Sequence, residues 1–445
     1  MSGPIVRRLD STAPSVRRNA PPARFRGVAG PRAACGPGRR QGGDRAARYT
    51  RVVGTTTLDI RKAGPSERSA AARSAADSLR RGDLVILPTE TVYGLTALAG
   101  SEKAVAALRQ VAGLSNDVSL AWHAPSAALP LATIPLRSSL HRRAVERLSA
   151  GPVTFLIDLT PDELDAVRSA LGIAAGVIDD GSTLLLRIPG HEFAREALEA
   201  LDAPAVMTGA AAKGQPAPTD AKVSLPAESL ERVAMIVDDG PTTMRRPSTL
   251  VRLALDGTLH VVREGAVDER RLRKRLTRTV LFVCSGNTCR SPMAAAIMNH
   301  LVAERGLGGE TGDRSTTTAP IRAESAGVAA VRGMPAATEG AHALREMGIA
   351  AEGHTSQPLT RELIEDAERV FVMTEQHRRA AADLAPEFAD RIETLDPEGG
   401  SIPDPIGMDQ SVYSSTAARL RELIEARLAE FDEPAPSAAA RGGDA

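Results

Sequence analysis

The chain has 445 residues with 55 basic and 55 acidic side chains, so its formal net charge is zero and its length allows two or three domains. Three cysteines are too few to staple a secreted fold, aromatic residues make up only 2% of the chain, and no apolar run is long enough to span a membrane. This composition excludes a disulfide scaffold, a transmembrane protein and an aromatic platform for single-stranded nucleic acid, and it favours a cytoplasmic protein.

The charge is unevenly distributed along the chain. Residues 1–51 contain twelve arginines against two acidic residues and are rich in Pro, Gly and Ala, with no apolar periodicity. Such a segment buries too little apolar surface to offset the entropy of ordering, so we predict a disordered basic tail. Nucleic-acid binding by this tail is the less favoured interpretation.

An α/β pattern begins at residue 52 and continues to residue 266. The spacing of apolar residues predicts helices at residues 66–80, 102–111 and 191–201. Buried or alternating apolar runs predict strands at residues 83–87, 153–159, 182–188, 234–237, 249–255 and 259–263. Short strands with helices between them are typical of a twisted, mixed sheet.

The second half of the chain alternates more regularly. Residues 267–277 are charged and contain no strand pattern, so we predict a linker there. Strands are then predicted at residues 279–283, 369–373 and 391–395, and helices at 291–304, 336–347, 375–384 and 415–431. This alternation predicts a doubly wound parallel sheet over residues 278–432, with its site at the carboxyl ends of the strands. Residues 433–445 are predicted to form a second disordered tail.

A strand–loop–helix junction carries the most informative motif. The strand at residues 279–283 runs directly into Cys-Ser-Gly-Asn-Thr-Cys-Arg at 284–290, and Ser291 with Pro292 opens a helix. Such a junction points backbone N–H groups toward an oxyanion at the helix N-terminus. The helix dipole and Arg290 favour the thiolate form of Cys284, and the planar guanidinium can hold two phosphoryl oxygens. We therefore predict that Cys284 is a nucleophile and Arg290 its phosphoryl clamp.

The remaining loop residues are predicted to support this pair, and a carboxylate is needed as the acid. Gly286 is expected to take a backbone geometry closed to residues with a Cβ, and Asn287 to hold the loop through side-chain hydrogen bonds. Ser291 is placed to donate a hydrogen bond to the thiolate. Asp404, in the Asp-Pro that follows the last strand, is the predicted general acid. The other loop positions assigned to the phosphate site are Ser285, Thr288 and Cys289.

Residues 278–432 resemble the low-molecular-weight protein-tyrosine phosphatases. The matching strings are VCSGNTCRSP at 283–292, ESAG at 324–327, HTSQPLT at 354–360, VFVMT at 370–374 and DPIG at 404–407. The resemblance implies that Cys284 forms a phosphocysteine, that Arg290 clamps the transition state, and that Asp404 acts first as an acid and then as a base. It also implies that neither a metal nor a cofactor is required and that the partner is a phosphoprotein.

The resemblance leaves the substrate open between phosphotyrosine and phosphoarginine. Thr288 is similar to the bacterial phosphoarginine phosphatase branch, in which a hydroxyl replaces an apolar side chain. That branch has an aromatic residue after the Asp-Pro, whereas this chain has Ile406 and Gly407. Arsenate reductases share the fold but need further cysteines downstream, and none follows Cys289. Cys289 itself fits a reversible oxidation partner of Cys284 and a small core residue equally well.

Residues 55–267 resemble the YrdC-like threonylcarbamoyl-adenylate synthases. The strings are LPTETVYGL at 87–95, GPVT at 151–154, RIP at 187–189, PAPT at 216–219, PSTLV at 247–251 and REG at 263–265. The family makes an activated intermediate for tRNA modification from threonine, bicarbonate and ATP. Its Lys-x-Arg is replaced here by AGL at 112–114, and its Ser-Ala-Asn by GAA at 209–211.

The loss of two parts of the ATP site predicts a degenerate synthase domain, kept as a scaffold, a ligand sensor or an RNA-contacting module. The alternative is a bifunctional protein whose active synthase uses ATP, threonine and bicarbonate, with Arg245 or Arg246 as substitute phosphate clamps. In either case, the residues predicted to form a ligand cleft are Thr89, Thr91, Arg187, Lys213, Ser248 and Thr249.

Overall fold

The computed structural model describes residues 48–52, 54–223, 225–308, 317–350 and 353–431. The predicted tail at residues 433–445 lies outside the described residues, as does the predicted N-terminal tail through residue 47. Residues 48–52 form a strand, so the first sheet starts four residues before the predicted boundary at residue 52. This strand pairs antiparallel with its neighbour through backbone hydrogen bonds, which need no apolar periodicity.

The N-terminal half is built on one mixed sheet, as the sequence predicts. Within the described residues this sheet has eleven strands, of which the sequence predicts six. Along the sheet the strand order is β1-β2-β9-β3-β4-β8-β5-β7-β6-β10-β11. The strands are β1 Arg48–Val52, β2 Thr55–Asp59, β3 Leu84–Leu87, β4 Gly94–Leu98, β5 Ala121–His123, β6 Val153–Asp158, β7 Thr183–Arg187, β8 Ala205–Gly209, β9 Val233–Asp238, β10 Thr249–Leu253 and β11 Leu259–Arg263.

Helices cover both faces of this sheet, and the side chains of β3 show the division. Leu84 and Ile86 belong to one apolar cluster, whereas Val85 and Leu87 belong to another, because side chains alternate along a strand. The helices are α1 Pro65–Arg80, α2 Glu102–Ala112, α3 Ala128–Thr133, α4 Ser139–Leu148, α5 Pro161–Leu171, α6 Glu192–Leu201, α7 Ala227–Leu230 and α8 Glu269–Leu276.

Helix α8 occupies the segment that the sequence assigns to a linker. Asp268 caps its N-terminus by accepting a hydrogen bond from the backbone N–H of Arg271. Leu272 and Leu276, four residues apart on one helix face, are buried in the core of the N-terminal half. The high charge of the segment belongs to the opposite, solvated face. The two halves are therefore joined by a packed helix.

The C-terminal half contains a four-stranded, fully parallel sheet with the order β13-β12-β14-β15. Its strands are β12 Arg278–Cys284, β13 Ile321–Gly327, β14 Arg369–Val372 and β15 Ile392–Thr394. Its helices are α9 Arg290–Glu304, α10 Thr338–Glu346, α11 Arg361–Asp366, α12 Glu375–Leu384 and α13 Gln410–Ala429, with a 3₁₀ turn at Pro386–Arg391.

The helices of this half lie on both faces of the sheet, which confirms the predicted doubly wound arrangement. Phe282 packs with residues of α9, α10 and α13, whereas Val283, the next residue along β12, packs with residues of α11 and α12. Because all four strands run in the same direction, the loop that follows β12 lies at the carboxyl edge of the sheet. Within the described part of the chain, no helix is both long and apolar enough to cross a membrane.

An ion-pair network at the opposite, amino edge of this sheet joins the two halves. Arg143 of α4 donates to the carboxylate of Glu368, which directly precedes β14, at 2.6 Å, and Arg278 at the start of β12 donates to the same carboxylate at 2.8 Å. Arg143 also donates to the carbonyl of Leu276 at 2.6 Å. Burial raises the pKa of Glu368, but the hydrogen bond from Arg278 and the charge of Arg143 outweigh it, so its pKa is lowered.

Candidate active site

The loop between β12 and α9 folds around the sulfur of Cys284, which is buried. The Oγ of Ser291 lies 3.0 Å from Sγ, and the backbone N–H of Asn287 donates to Sγ at 3.3 Å. The Ser291 hydroxyl, which the sequence predicts as a donor to the sulfur, lies within hydrogen-bond distance of it and also donates to the carbonyl oxygen of Ala326 at 3.2 Å.

Asn287, and not Gly286, takes the unusual backbone conformation in this loop. Asn287 has φ +56°, in the left-handed region, whereas φ of Gly286 lies outside it. A Cβ on Gly286 would meet only the Thr288 hydroxyl at an ordinary 3.5 Å. The expectation for Gly286 is therefore wrong. Asparagine tolerates the left-handed region better than most residues because its short amide can bond locally.

The side chain of Asn287 fastens the loop to two neighbouring segments. Its Nδ2 donates to Ser291 Oγ and to Ser325 Oγ, each at 2.9 Å, and its Oδ1 accepts from the backbone N–H of Gln357 at 2.8 Å. The ring of His354 lies 2.7 Å from its carbonyl oxygen. These contacts explain why the strings at 324–327 and 354–360 accompany the cysteine loop. The predicted role of Asn287 extends to side-chain partners as well as backbone.

Gly327, at the end of β13, allows a close approach that sequence reasoning missed. A Cβ there would lie 2.5 Å from the carbonyl oxygen of Ser285 and 2.8 Å from the backbone nitrogen of Asn287. Any other residue would push the loop away from the sheet. The glycine of the ESAG string was available as a clue, but its neighbours in space are set by strand pairing.

Arg290 is 3% exposed and points its guanidinium at the general-acid candidate. Its Nη1 donates to the carbonyl of Ile402 at 3.0 Å, and its Nη2 donates to the carboxylate of Asp404. Its Nε has no hydrogen-bond partner among the residues that the structure describes. The Asp404 side chain is 35% exposed, so the acid lies at the mouth of the site while the arginine lies below it. The structure thus brings Arg290 and Asp404 together.

Thr288 and Cys289 lie on the other side of the loop. The hydroxyl of Thr288 is 3.6 Å from the sulfur of Cys289, and that sulfur is 3.4 Å from the hydroxyl of Tyr413 in α13. Both loop residues border a cavity of about 740 Å³ between α9 and α10, whose lining does not include Cys284, Arg290 or Asp404. Cys284 and Cys289 are both free thiols.

The cleft predicted in the N-terminal half is present but small. A cavity of about 210 Å³ is lined by Thr89, Arg187 and Ser248 of the predicted set, together with His123 and Thr154. Such a volume lies below the roughly 300–1,000 Å³ of most pockets for drug-sized ligands. Burial, together with the charge of Arg187, lowers the pKa of His123 to about 3. The ring is therefore neutral.

Three residues of the predicted set do not line this cavity. Thr91 is buried and accepts a hydrogen bond from Arg187 at 2.6 Å. Thr249 is buried and donates to the carbonyl of Val267 at 2.5 Å, which anchors the segment before α8. Lys213 is exposed, and its Cβ lies 3.4 Å from the position of a Cβ on Gly113. These positions reflect packing that sequence order alone does not reveal.

Within the cleft, Arg187 is already paired with a protein carboxylate. Its Nη2 donates to Glu90 at 2.8 Å, and the other oxygen of Glu90 accepts from the backbone N–H groups of Gly190 and His191 at 2.9 and 3.2 Å. Glu90 belongs to the LPTETVYGL string but was not among the predicted site residues. Among the described residues, no three His, Cys, Asp or Glu side chains form a metal site.

Comparison with known proteins assigns both halves. The family model for low molecular weight phosphotyrosine protein phosphatases matches residues 279–435. A protein-arginine-phosphatase of Bacillus subtilis is 36% identical over 149 residues, which are 33% of this chain and 91% of that protein. The C-terminal half belongs to the low-molecular-weight phosphatase family. The solved structure of such a phosphatase from T. tengcongensis is 36% identical to this low-molecular-weight phosphatase domain and covers 34% of this chain and 99% of its own, with a TM-score of 0.31.

The low-molecular-weight phosphatase domain is fused to a domain that matches a second family. The Sua5–YciO–YrdC family model, described as telomere recombination, matches residues 77–265. A Mycobacterium tuberculosis protein assigned as a threonylcarbamoyl-AMP synthase is 30% identical over 227 residues, which are 50% of this chain and 95% of that protein. The N-terminal half is therefore a Sua5–YrdC-like domain, and both predicted resemblances are confirmed.

Proposed function

We propose that the phosphatase domain hydrolyses phosphorylated proteins in two steps through a phosphocysteine on Cys284. The observation that carries this proposal is the meeting of three groups at one edge of the sheet: the buried Cys284 sulfur with Ser291 at 3.0 Å, the buried guanidinium of Arg290, and the carboxylate of Asp404. A nucleophile, a phosphoryl clamp and an acid are the parts that this reaction requires.

In the first step the Cys284 thiolate attacks phosphorus, an S–P bond forms, and the bond from phosphorus to the leaving group breaks. Asp404, in its protonated form, gives its proton to the departing oxygen or nitrogen. Arg290 and the N–H groups at the start of α9 bind the non-bridging phosphoryl oxygens. The unpartnered Nε of Arg290 supplies a donor that no described protein group uses.

In the second step water attacks the phosphocysteine. The Asp404 carboxylate, left ionised by the first step, takes a proton from this water as the new P–O bond forms. The S–P bond then breaks and the thiolate leaves. Ser291 stabilises that thiolate by donating a hydrogen bond, which the 3.0 Å contact allows. The cycle ends with inorganic phosphate and the regenerated cysteine, and it requires neither metal nor cofactor.

We propose phosphoarginine as the preferred substrate, with phosphotyrosine as the alternative. Two relatives that are protein-arginine-phosphatases, 36% and 37% identical over more than nine-tenths of their own lengths, support this choice, as does the hydroxyl of Thr288. Ile406, after the Asp-Pro, is 65% exposed and offers aliphatic surface at the mouth. The absence of an aromatic residue at this position does not separate the two substrates, because the phosphoarginine phosphatase branch also carries one there.

The test compares kcat/KM for phosphoarginine and phosphotyrosine peptides of the same sequence, with Cys284→Ser as the blank. A higher kcat/KM for phosphoarginine supports the proposed substrate. A higher value for phosphotyrosine replaces it while leaving the phosphatase mechanism in place. Equal turnover by wild type and Cys284→Ser would overturn the mechanism itself.

We also propose that the Sua5–YrdC-like domain has lost its ATP chemistry. The small cavity, the pairing of Arg187 with Glu90 and the apolar replacement at 112–114 support this. Pyrophosphate release from ATP that depends on threonine and bicarbonate measures the activity directly. Release above the background of reactions that lack threonine or bicarbonate would contradict the proposal and establish a bifunctional enzyme. RNA contact by this domain stays a prediction.

A further inference from the structure

A buried histidine of α12 lies behind the phosphate loop, and the reaction outlined above does not use it. His377 is 5% exposed. Its Nε2 lies 2.9 Å from the hydroxyl of Ser285, and its Nδ1 lies 3.0 Å from the hydroxyl of Thr374. Thr374 is the N-cap of α12 and accepts a hydrogen bond from the backbone N–H of His377. The ring is thus held on both sides, and one of its two contacts belongs to the loop.

The contact with Ser285 continues into the catalytic groups. Arg290 Nη2 donates to Ser285 Oγ at 3.3 Å, and the same nitrogen donates to the Asp404 carboxylate. His377, Ser285, Arg290 and Asp404 therefore form one line of hydrogen bonds that starts in α12 and ends at the mouth of the site. A group at one end of such a line orients the groups that follow it.

The two ring nitrogens of His377 can both be satisfied by the hydroxyls that face them. A neutral imidazole has one donor and one acceptor nitrogen, so it can match both hydroxyls. A protonated ring has two donors, and the two lone pairs of Ser285 Oγ can accept from it and from Arg290 at once, so the contact with Ser285 is available in either form of the ring. Burial lowers the pKa of His377, the charge of Arg290 lowers it further, and only Asp404 raises it.

The charged residues in the first turns of α12 pair with one another, and Asp383 near its end is exposed. Glu375 forms ion pairs with Arg378 and Arg379 on the helix surface. The charges that act on the ring are therefore those of Arg290 and Asp404, on the far side of Ser285. Both sit within the site, and the proposed reaction changes the charge of one of them, Asp404.

We propose that His377 is a positioning residue of the phosphatase, which orients the Ser285 hydroxyl and, through it, the Arg290 guanidinium beside Asp404. This inference rests on the proposed phosphatase function. A misplaced guanidinium affects the transition state more than initial binding, because the phosphoryl charge spreads as the bond to the leaving group breaks. The effect therefore falls on kcat.

The test measures kcat and KM on an aryl phosphate for the full chain and for His377→Ala, Ser285→Ala and the double variant. We expect each single substitution to lower kcat about five- to tenfold, the worth of one lost hydrogen bond, with KM changed less than twofold. The double variant should lose no more than the single ones, because both remove the same link. His377→Gln, whose amide can reach Ser285, should recover most of kcat. His342→Ala, at an exposed position of α10, is the matched control.

Three results would overturn the inference: an unchanged kcat in Ser285→Ala, losses that multiply in the double variant, or a loss that appears only in KM. Ser285→Ala leaves the buried ring in place, so it remains decisive where His377→Ala fails to fold. Loss of activity in Cys284→Ser together with any of these results would retain the proposed function and reject only the role of His377. Activity that persists in Cys284→Ser would reject the proposed function instead.

Discussion

Each half contains one buried arginine at its candidate site, and the two differ in whether the guanidinium is available to an incoming anion. Arg290 and Arg187 are 3% and 6% exposed, and each has an Nε without a hydrogen-bond partner among the described residues. Arg290 pairs with Asp404, a partly exposed carboxylate on a loop. Arg187 pairs with Glu90, which two backbone N–H groups also hold. A phosphoryl group can compete for the first arginine, whereas the second is already neutralised by a fixed partner.

The difference lies in the carboxylate rather than in the arginine. Breaking a buried ion pair leaves a charge without a partner, which typically costs about 3–5 kcal/mol, so an incoming anion must repay that cost at Arg187. At Arg290 the displaced Asp404 remains hydrated at the mouth of the site. Four substitutions test this contrast, in order of expected effect.

Removal of the nucleophile should give the largest effect. We expect Cys284→Ser to lower kcat on an aryl phosphate by at least about 10⁴-fold, because a serine hydroxyl is not ionised near neutral pH. Stopped-flow or steady-state phosphate release measures the loss. Thermal unfolding at the wild-type midpoint would show that the change is chemical. Residual turnover within tenfold of wild type would contradict Cys284 as the nucleophile.

Loss of the acid should come next and should depend on the leaving group. Asp404→Asn is expected to lower kcat by about 10²–10⁴-fold for an alkyl phosphate and by less for a nitrophenyl phosphate, whose leaving group needs no proton. Asp383→Asn, at an exposed position of α12, is the matched control. The same loss for both leaving groups would argue against general-acid catalysis by Asp404.

Arg187→Ala should affect the N-terminal half alone, because it removes the partner of Glu90 and changes no residue of the phosphatase domain. We expect kcat on aryl phosphates to stay within twofold of wild type. The free energy of unfolding of the N-terminal half should fall by about 3 kcal/mol, the typical cost of an unpaired buried charge. Urea unfolding followed by the single tryptophan, Trp122, which is buried in that half, measures this. An unchanged midpoint would mean that the pair is not structurally required.

The smallest effect is expected at the junction between the halves. The pKa of Glu368 is lowered in the folded protein, so its stabilisation is present above its unfolded pKa and is lost as the pH falls through the lowered value. Glu368→Gln should therefore cost about 1–2 kcal/mol at neutral pH and nothing in acid. Glu365→Gln, exposed on α11, should show neither change. A loss that persists unchanged in acid would contradict the ionic origin.

Local sequence patterns predicted much of the phosphatase half. The bounds of α12 agree with the prediction, and β12 and α9 begin within one residue of it. The helices are marked at their starts by Pro292 and by the cap at Thr374, and β12 contains a continuous apolar run. The strand β13 escaped prediction, because its small and charged residues gain strand geometry only by pairing with β12.

Other errors have the same origin. The charged composition of residues 267–277 predicts a linker where the structure has helix α8, although the sequence also contains the helical signals: Leu272 and Leu276 at four-residue spacing and the cap at Asp268. The sequence predicts the special backbone geometry at Gly286 because glycine is the usual choice, but the hydrogen bond that Asn287 donates to Ser325 and the one it accepts from Gln357 favour Asn287. In each case a tertiary contact overrode a local preference.

The sequence by itself determined which groups the site offers for chemistry. Cys284, Arg290 and the start of α9 lie within seven residues, and the geometry of so short a segment is set largely by its own residues. The tertiary structure alone decided which distant groups meet them. Asp404 pairs with Arg290 across 114 residues of the chain, and His377 contacts Ser285 across 92. In the N-terminal half, Glu90 pairs with Arg187 across 97 residues. These pairings depend on the order of the strands in each sheet, which no local sequence pattern contains. Burial of the paired groups then strengthens each contact.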